Sequence, residues 1–226
     1  MNRTELDAII KDAVNDAELK GNEIPAIDLY VDQIINLVSD KQKEGSDRFK
    51  DRQLTKTMIN NYSKDGVIAP VKGKKYTKEQ ILQILTVYTM KNTLSIGEIK
   101  RILDGAYAIE GFDGSSLAKL YGRYMDIKED SREYALNTID SMIEKKELDV
   151  ERDEDFLALL YGIVSLSAYF KSIARAMIDE KYPEPVSEEE QKDEQKDKDK
   201  DKKKKDKEKA KETKEKEKEK KKSRSV

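Results

Sequence analysis

Apolar side chains recur at helical spacing along most of the first 180 residues. Leu6, Ile9, Ile10, Ala13, Val14 and Ala17 fall on one face of a helix predicted over about Thr4–Leu19, with Thr4 as N-cap and Asp7 three residues on. Gly21 and Pro25 punctuate its end. A second helix is predicted over about Ala26–Ser39, where Leu29, Tyr30, Ile34, Leu37 and Val38 keep the same period. The polar stretch from Asp40 to Arg52 reads as a loop, a long one for a compact domain.

Sharper punctuation follows. Thr55 caps a short helix that runs to Asp65, Leu54 is placed to pack against Ile59, and Gly66 stands where a left-handed residue ends a helix. Pro70 and Gly73 break Val67–Tyr76 into short β-compatible pieces, so this stretch is read as a two-stranded wing with lysines at its tip and sides. Capping boxes of Thr77 with Gln80 and of Ser95 with Glu98 open two further helices. Ile81, Leu82, Leu85, Val87, Tyr88 and Met90 face inward on the first; Ile96, Ile99, Ile102 and Leu103 do so on the second, which ends at Gly105. A glycine-rich turn, Gly111–Ser116, leads to three helical patterns at about Leu117–Met125, Ser131–Lys146 and Glu154–Lys181.

Within the last pattern Phe156–Phe170 carries no charge and is expected to be core, with an exposed oligomerisation surface as the alternative. At helical rise its fifteen residues span roughly 22 Å against a hydrocarbon thickness of ~30 Å, so no membrane crossing is expected. From Pro183 the chain turns almost wholly to lysine, glutamate and aspartate, and after Val186 only Ala210 and Val226 are apolar. So little apolar surface cannot offset the entropy of ordering, and a disordered, solubilising polyampholyte tail is expected. The fold class is therefore mainly α: a helical domain containing a winged-helix module with a short two-stranded wing, plus the charged tail. Residues 1–53 supply N-terminal helices, 54–104 the module, 105–182 the C-terminal helical part of the same domain, and 183–226 the tail.

Composition narrows the chemistry. The 226 residues include no cysteine and no histidine, which excludes disulfides, thiolate metal sites, cysteine nucleophiles and histidine acid–base catalysis. No enzyme, cofactor or metal is expected. Paired acids such as Asp153 and Asp155 are more simply helix N-terminal charges. The polar start, Met1 to Leu6, shows no secretory signal, and a cytoplasmic location is expected. The net charge of −2 conceals an uneven distribution: residues 52–104 carry ten basic and four acidic side chains, whereas 1–51 carry seven and twelve and 105–182 carry ten and sixteen. A basic block between acidic flanks concentrates attraction for a polyanion at one place.

In that block the short helix leaves Lys56, Thr57, Asn60, Asn61 and Lys64 outward while Met58 and Ile59 turn to the core. An asparagine amide can pair with both adenine N6 and N7 in the major groove, and lysines such as Lys72, Lys74 and Lys75 on an adjoining hairpin neutralise phosphates and fix register. Tyr62 and Tyr76 are assigned a supporting role at the backbone, with packing in the interior as the alternative. Duplex DNA is thus the expected partner. Taken singly, the asparagines and lysines also fit solvated surface, and an arginine-poor face keeps open a protein-interaction module without DNA.

The stretches TKTMINNYSKDGVIAP, KKYTKEQI and LSIGEIKRIL resemble the DNA-binding winged helix of MerR-type regulators. Ile24–Ile35, IPAIDLYVDQII, together with the first two of these, resembles the bacterial family called domain of unknown function 1836 over roughly residues 24–170. The MerR resemblance implies a DNA-binding transcriptional regulator acting as a homodimer through the helices within 117–181, and it names no small-molecule effector for this chain. It places Asn60 where an arginine is usual, Asn61 and Tyr62 at a tyrosine pair of which only Tyr62 is retained, and Lys74 and Lys75 at basic wing positions. The family joins its first helix to the recognition helix by a tight turn, whereas about fifteen residues separate Ser39 from Thr55 here.

Overall fold

The computed structural model describes residues 1–185. The expectation for the tail falls, from Val186 onward, outside the described residues. Seven α-helices and one two-stranded sheet make up the described part: α1 (Arg3–Ala13), β1 (Leu29–Tyr30), α2 (Val31–Gln42), α3 (Lys56–Lys64), β2 (Lys75–Tyr76), α4 (Lys78–Met90), α5 (Ile96–Tyr107), α6 (Gly114–Lys146) and α7 (Asp153–Lys181). A 3₁₀ turn at Asp47–Phe49 interrupts the long connection from α2 to α3.

The centre is α4. Ile81, Leu82, Ile84, Leu85, Val87 and Tyr88 are all buried on it, so it is covered on nearly every side. Ile34 and Val38 of α2, Ile59 and Tyr62 of α3, Ile99 and Leu103 of α5, and Leu117 and Tyr121 of α6 close around it. A second, smaller core joins Leu6 and Ile10 of α1 to Ile143 at the end of α6, Val150 in the turn, and Leu159 of α7.

Where chain punctuation is local, the elements form as the sequence predicts. Thr55 accepts a hydrogen bond from the Met58 amide, and the boxes at Thr77/Gln80 and Ser95/Glu98 are both closed. Gly66 adopts φ +66°, with its amide bonded to the Ser63 carbonyl and the Val67 amide to the Tyr62 carbonyl, a Schellman termination of α3.

Five expectations need correction. The first helix is capped by Asn2 with Glu5 rather than by Thr4, and it stops at Ala13. Beyond it, tertiary contacts override the helical period: the Asn15 carbonyl accepts from the Ser46 amide at 2.7 Å, and the Asp16 carboxylate meets Lys128 and Arg132 of α6. The second helix begins at Val31, because Leu29 and Tyr30 are extended and pair antiparallel with Tyr76 and Lys75. The wing is consequently not a hairpin within 67–76; only Lys75–Tyr76 is strand, and its partner lies before α2. The segments 117–125 and 131–146 are one helix, since Asp126–Asp130 offers charged helix formers and no breaker. Finally, Phe156–Phe170 is mostly at the surface: Leu159 is buried, while Leu157, Leu160, Tyr161, Val164, Tyr169 and Phe170 are exposed. By length and composition α7 could cross a membrane.

Candidate nucleic-acid interface

The nine-residue helix α3 is too short to persist alone and is held by its buried side. Ile59 is fully buried, Tyr62 nearly so, and Leu54 just before the helix joins the same core. Lys56, Thr57, Asn60, Asn61 and Lys64 are all exposed. At 100° per residue they occupy an arc of about 140° on the opposite side, free of acidic residues. The sequence reading of this face therefore holds as to exposure.

The wing lysines Lys72, Lys74 and Lys75 are likewise exposed. Gly73 between them has φ +91°, a conformation that side chains rarely adopt, with open space around it. Lys75 lies over the Tyr30 ring, its ammonium 5.0 Å from the centroid, which ties the β2 lysine to β1. Among the described residues none of Lys56, Lys64, Lys72, Lys74 and Lys75 is in an ion pair. Neighbouring cations on α5 are engaged: Lys100 with Asp104, and Arg101 with Asp179.

Two buried glutamines of α4 fix the base of this loop. The Gln80 amide donates to the carbonyls of Ala69 and Pro70 at 3.1 and 3.0 Å, while Gln83 accepts from the Ala69 amide at 2.9 Å and donates to the Tyr107 hydroxyl at 2.8 Å. Tyr107 in turn donates to Glu79 at 2.7 Å, and burial, with that carboxylate, pushes its phenol up to about 12. Replacing Gln83 by leucine is expected to cost about 1 kcal/mol by leaving the Ala69 amide without its acceptor and the Tyr107 hydroxyl oxygen without its donor. Amide exchange over residues 69–74 should accelerate while α4 stays protected; unchanged exchange there would show that the clamp does not hold the loop.

Two of the proposed contact residues are elsewhere. Tyr62 faces the core, its hydroxyl buried with no hydrogen-bond partner, and burial, together with Tyr88, pushes it up to about 12. Tyr76 is buried under the β1–β2 pair. Neither stands where it can touch a phosphate, because the alternation of β2 turns Tyr76 inward when Lys75 points out.

Two lysines beside α3 were not singled out by the sequence. Lys91, just past α4, lies over the Tyr88 ring at 4.8 Å and 3.5 Å from the Met58 sulfur; burial lowers its ammonium's proton affinity. Lys100 donates to the Gly66 carbonyl at 3.1 Å and so satisfies the end of α3. No periodicity marks either, since both depend on how α4 and α5 meet α3. Among the described residues no group of three potential ligands is gathered that could hold a metal ion.

No curated protein and no solved structure matches the chain. Residues 19–124 match the model of a family described as "Domain of unknown function (DUF1836)", and the match covers β1 to the first part of α6 with the whole candidate interface.

Proposed function

We propose that this protein is a DNA-binding transcriptional regulator rather than an enzyme, with α3 entering the major groove and the loop before β2 lying along the phosphates. The observation that carries this reading is the α3 face: two lysines, a threonine and two asparagines, exposed together on a helix whose other side is locked into the core. Asn60 and Asn61 are suited to adenine edges, Lys56 and Lys64 to phosphates at the two ends of the helix, and Lys72, Lys74 and Lys75 to the backbone beside them. A winged-helix docking of the MerR type is part of the proposal. In its support, β1, α2 and α3 precede a β2 that returns to β1, and α2 and α3 pack together despite the long connection between them. The reading puts the protein in the cytoplasm with its DNA.

The test is binding of the full chain to random duplex DNA across a salt series, beside a variant with Lys72, Lys74 and Lys75 changed to alanine. Each phosphate contact contributes about −0.9 to the slope of log affinity against log salt, so the variant should lose about 2.7 from it. A folded protein that does not bind at low salt would overturn the reading and leave a protein-interaction module in its place. An unaltered slope would remove the lysine loop from the interface.

A further inference from the structure

Helix α7 is held by different neighbours at its two ends. Near its start Leu159 is buried with Ile143 of α6, and Gly162 lets the two helices approach, the Met142 sulfur standing 3.6 Å from where a Cβ would be. Toward its end the hold passes to α5: Arg175 reaches Glu98 at 2.8 Å, and Asp179 reaches Arg101 at 2.7 Å. Between the two holds a groove of about 830 Å³ lies along α6 and α7, with the exposed Asn92 and Thr93 of the α4–α5 turn at its rim.

The lining changes character from one end of the groove to the other. Ile139, Met142 and Ile163 close one end and pack against the second core. Ala135 and Leu166 follow, and Lys171 stands at the far end with Asn92 and Thr93. Hydroxyls on the α6 wall are turned back on their own helix, Ser131 donating to the Ile127 carbonyl at 2.7 Å and Thr138 to the Tyr134 carbonyl at 2.6 Å. No acidic side chain lines the groove. Among the described residues Lys171 is in no ion pair.

We propose that this groove binds a long-chain carboxylic acid, its alkyl chain lying between α6 and α7 and its carboxylate on Lys171. Size and make-up are those of a small-molecule site: a few hundred Å³, apolar walls and a small number of polar groups at one end. From Ser131 to Met142 the α6 wall runs about 16 Å at helical rise, a length suited to one extended chain. A helix of a partner protein, about 10 Å across, needs more than the whole volume of the groove over that length. A cationic amphiphile would set its charge against Lys171, and a polyanion would find a single cation. The site uses none of the α3 or wing residues, so it stands independently of DNA binding.

Isothermal titration of the full chain with dodecanoate, kept below its micelle concentration, should show one site per chain. Lys171→Met keeps an apolar stem and removes the charge, and should weaken binding about tenfold. Dodecyltrimethylammonium should bind the wild type at least as weakly. Ser167→Trp, at an exposed position on the groove, should abolish binding by filling it. Ser165→Trp, equally exposed on α7 but outside the groove, should leave binding unchanged. A wild type that takes up no dodecanoate, equal affinity in Lys171→Met, or the same affinity in the two tryptophan variants would each overturn the proposal.

Discussion

Ile59→Ala is expected to lower the free energy of unfolding by about 2–5 kcal/mol, the range for truncating a fully buried aliphatic side chain that leaves a cavity. Total stabilities of domains run to about 5–15 kcal/mol, so the loss is a large share. The position is sensitive because α3 has only nine residues and no stability of its own. Ile59 sits in one core with Leu54 before the helix, Tyr62 one turn on, and Ile34 and Val38 of α2. Urea unfolding should show a lower midpoint at unchanged slope. Asn60→Ala, one residue away but exposed, should stay within about 0.5 kcal/mol of wild type. The pair separates the holding side of the helix from the side proposed to contact DNA: on that proposal Ile59→Ala should reduce DNA binding only as far as it unfolds the protein, and Asn60→Ala should reduce it with stability intact. A loss below 1 kcal/mol for Ile59→Ala would mean that the helix is not anchored where the core places it.

What the sequence made legible was decided by the range of the interactions. The start of α3 at Thr55, its end at Gly66 and the boxes opening α4 and α5 are set by groups within a few residues of one another, and all form as read. The outward face of α3 was legible for the same reason, since one buried position fixes the others by helical geometry. The β1–β2 pair was not: two residues before α2 find two residues after the wing loop, and neither dipeptide announces its partner. Tyr76 was misplaced with it, because only that pairing decides which way its side chain turns. α7 failed differently. Its apolar pattern was visible, but an apolar residue is equally suited to a core and to a surface awaiting a partner. The early end of α1 is the clearest case of a local tendency losing to distant charges, and those charges are themselves testable.

Asp16→Asn is expected to destabilise the protein by about 2 kcal/mol at neutral pH and to flatten the acid limb of its stability. Asp16 meets Lys128 at 2.5 Å and Arg132 at 3.2 Å on α6, with Glu18 also on Lys128 at 2.7 Å. The Asp16 and Lys128 side chains are about one-fifth exposed, which discounts the effect from the 3–5 kcal/mol of a fully buried pair. Arg132 adds a second hold, donating to the Asp16 carbonyl, so the irregular chain between α1 and β1 is fastened across α6. The Tyr121 hydroxyl continues the fastening at the Leu19 carbonyl, 2.9 Å away. Burial pushes the Asp16 carboxyl up, but the hydrogen bonds and charges of Lys128 and Arg132 more than reverse this and hold it below its ordinary value of 3.8. A depressed folded-state value means that the unfolded chain takes up the proton first. The stabilisation is therefore complete above pH 3.8 and is lost as pH falls through the folded-state value. Urea unfolding of wild type and Asp16→Asn from pH 7 to pH 3 should show two curves that differ at neutral pH and converge in acid. Curves that stay parallel throughout would show that the ionised carboxylate does not fasten this segment, and the end of α1 at Ala13 would then need a cause other than these charges.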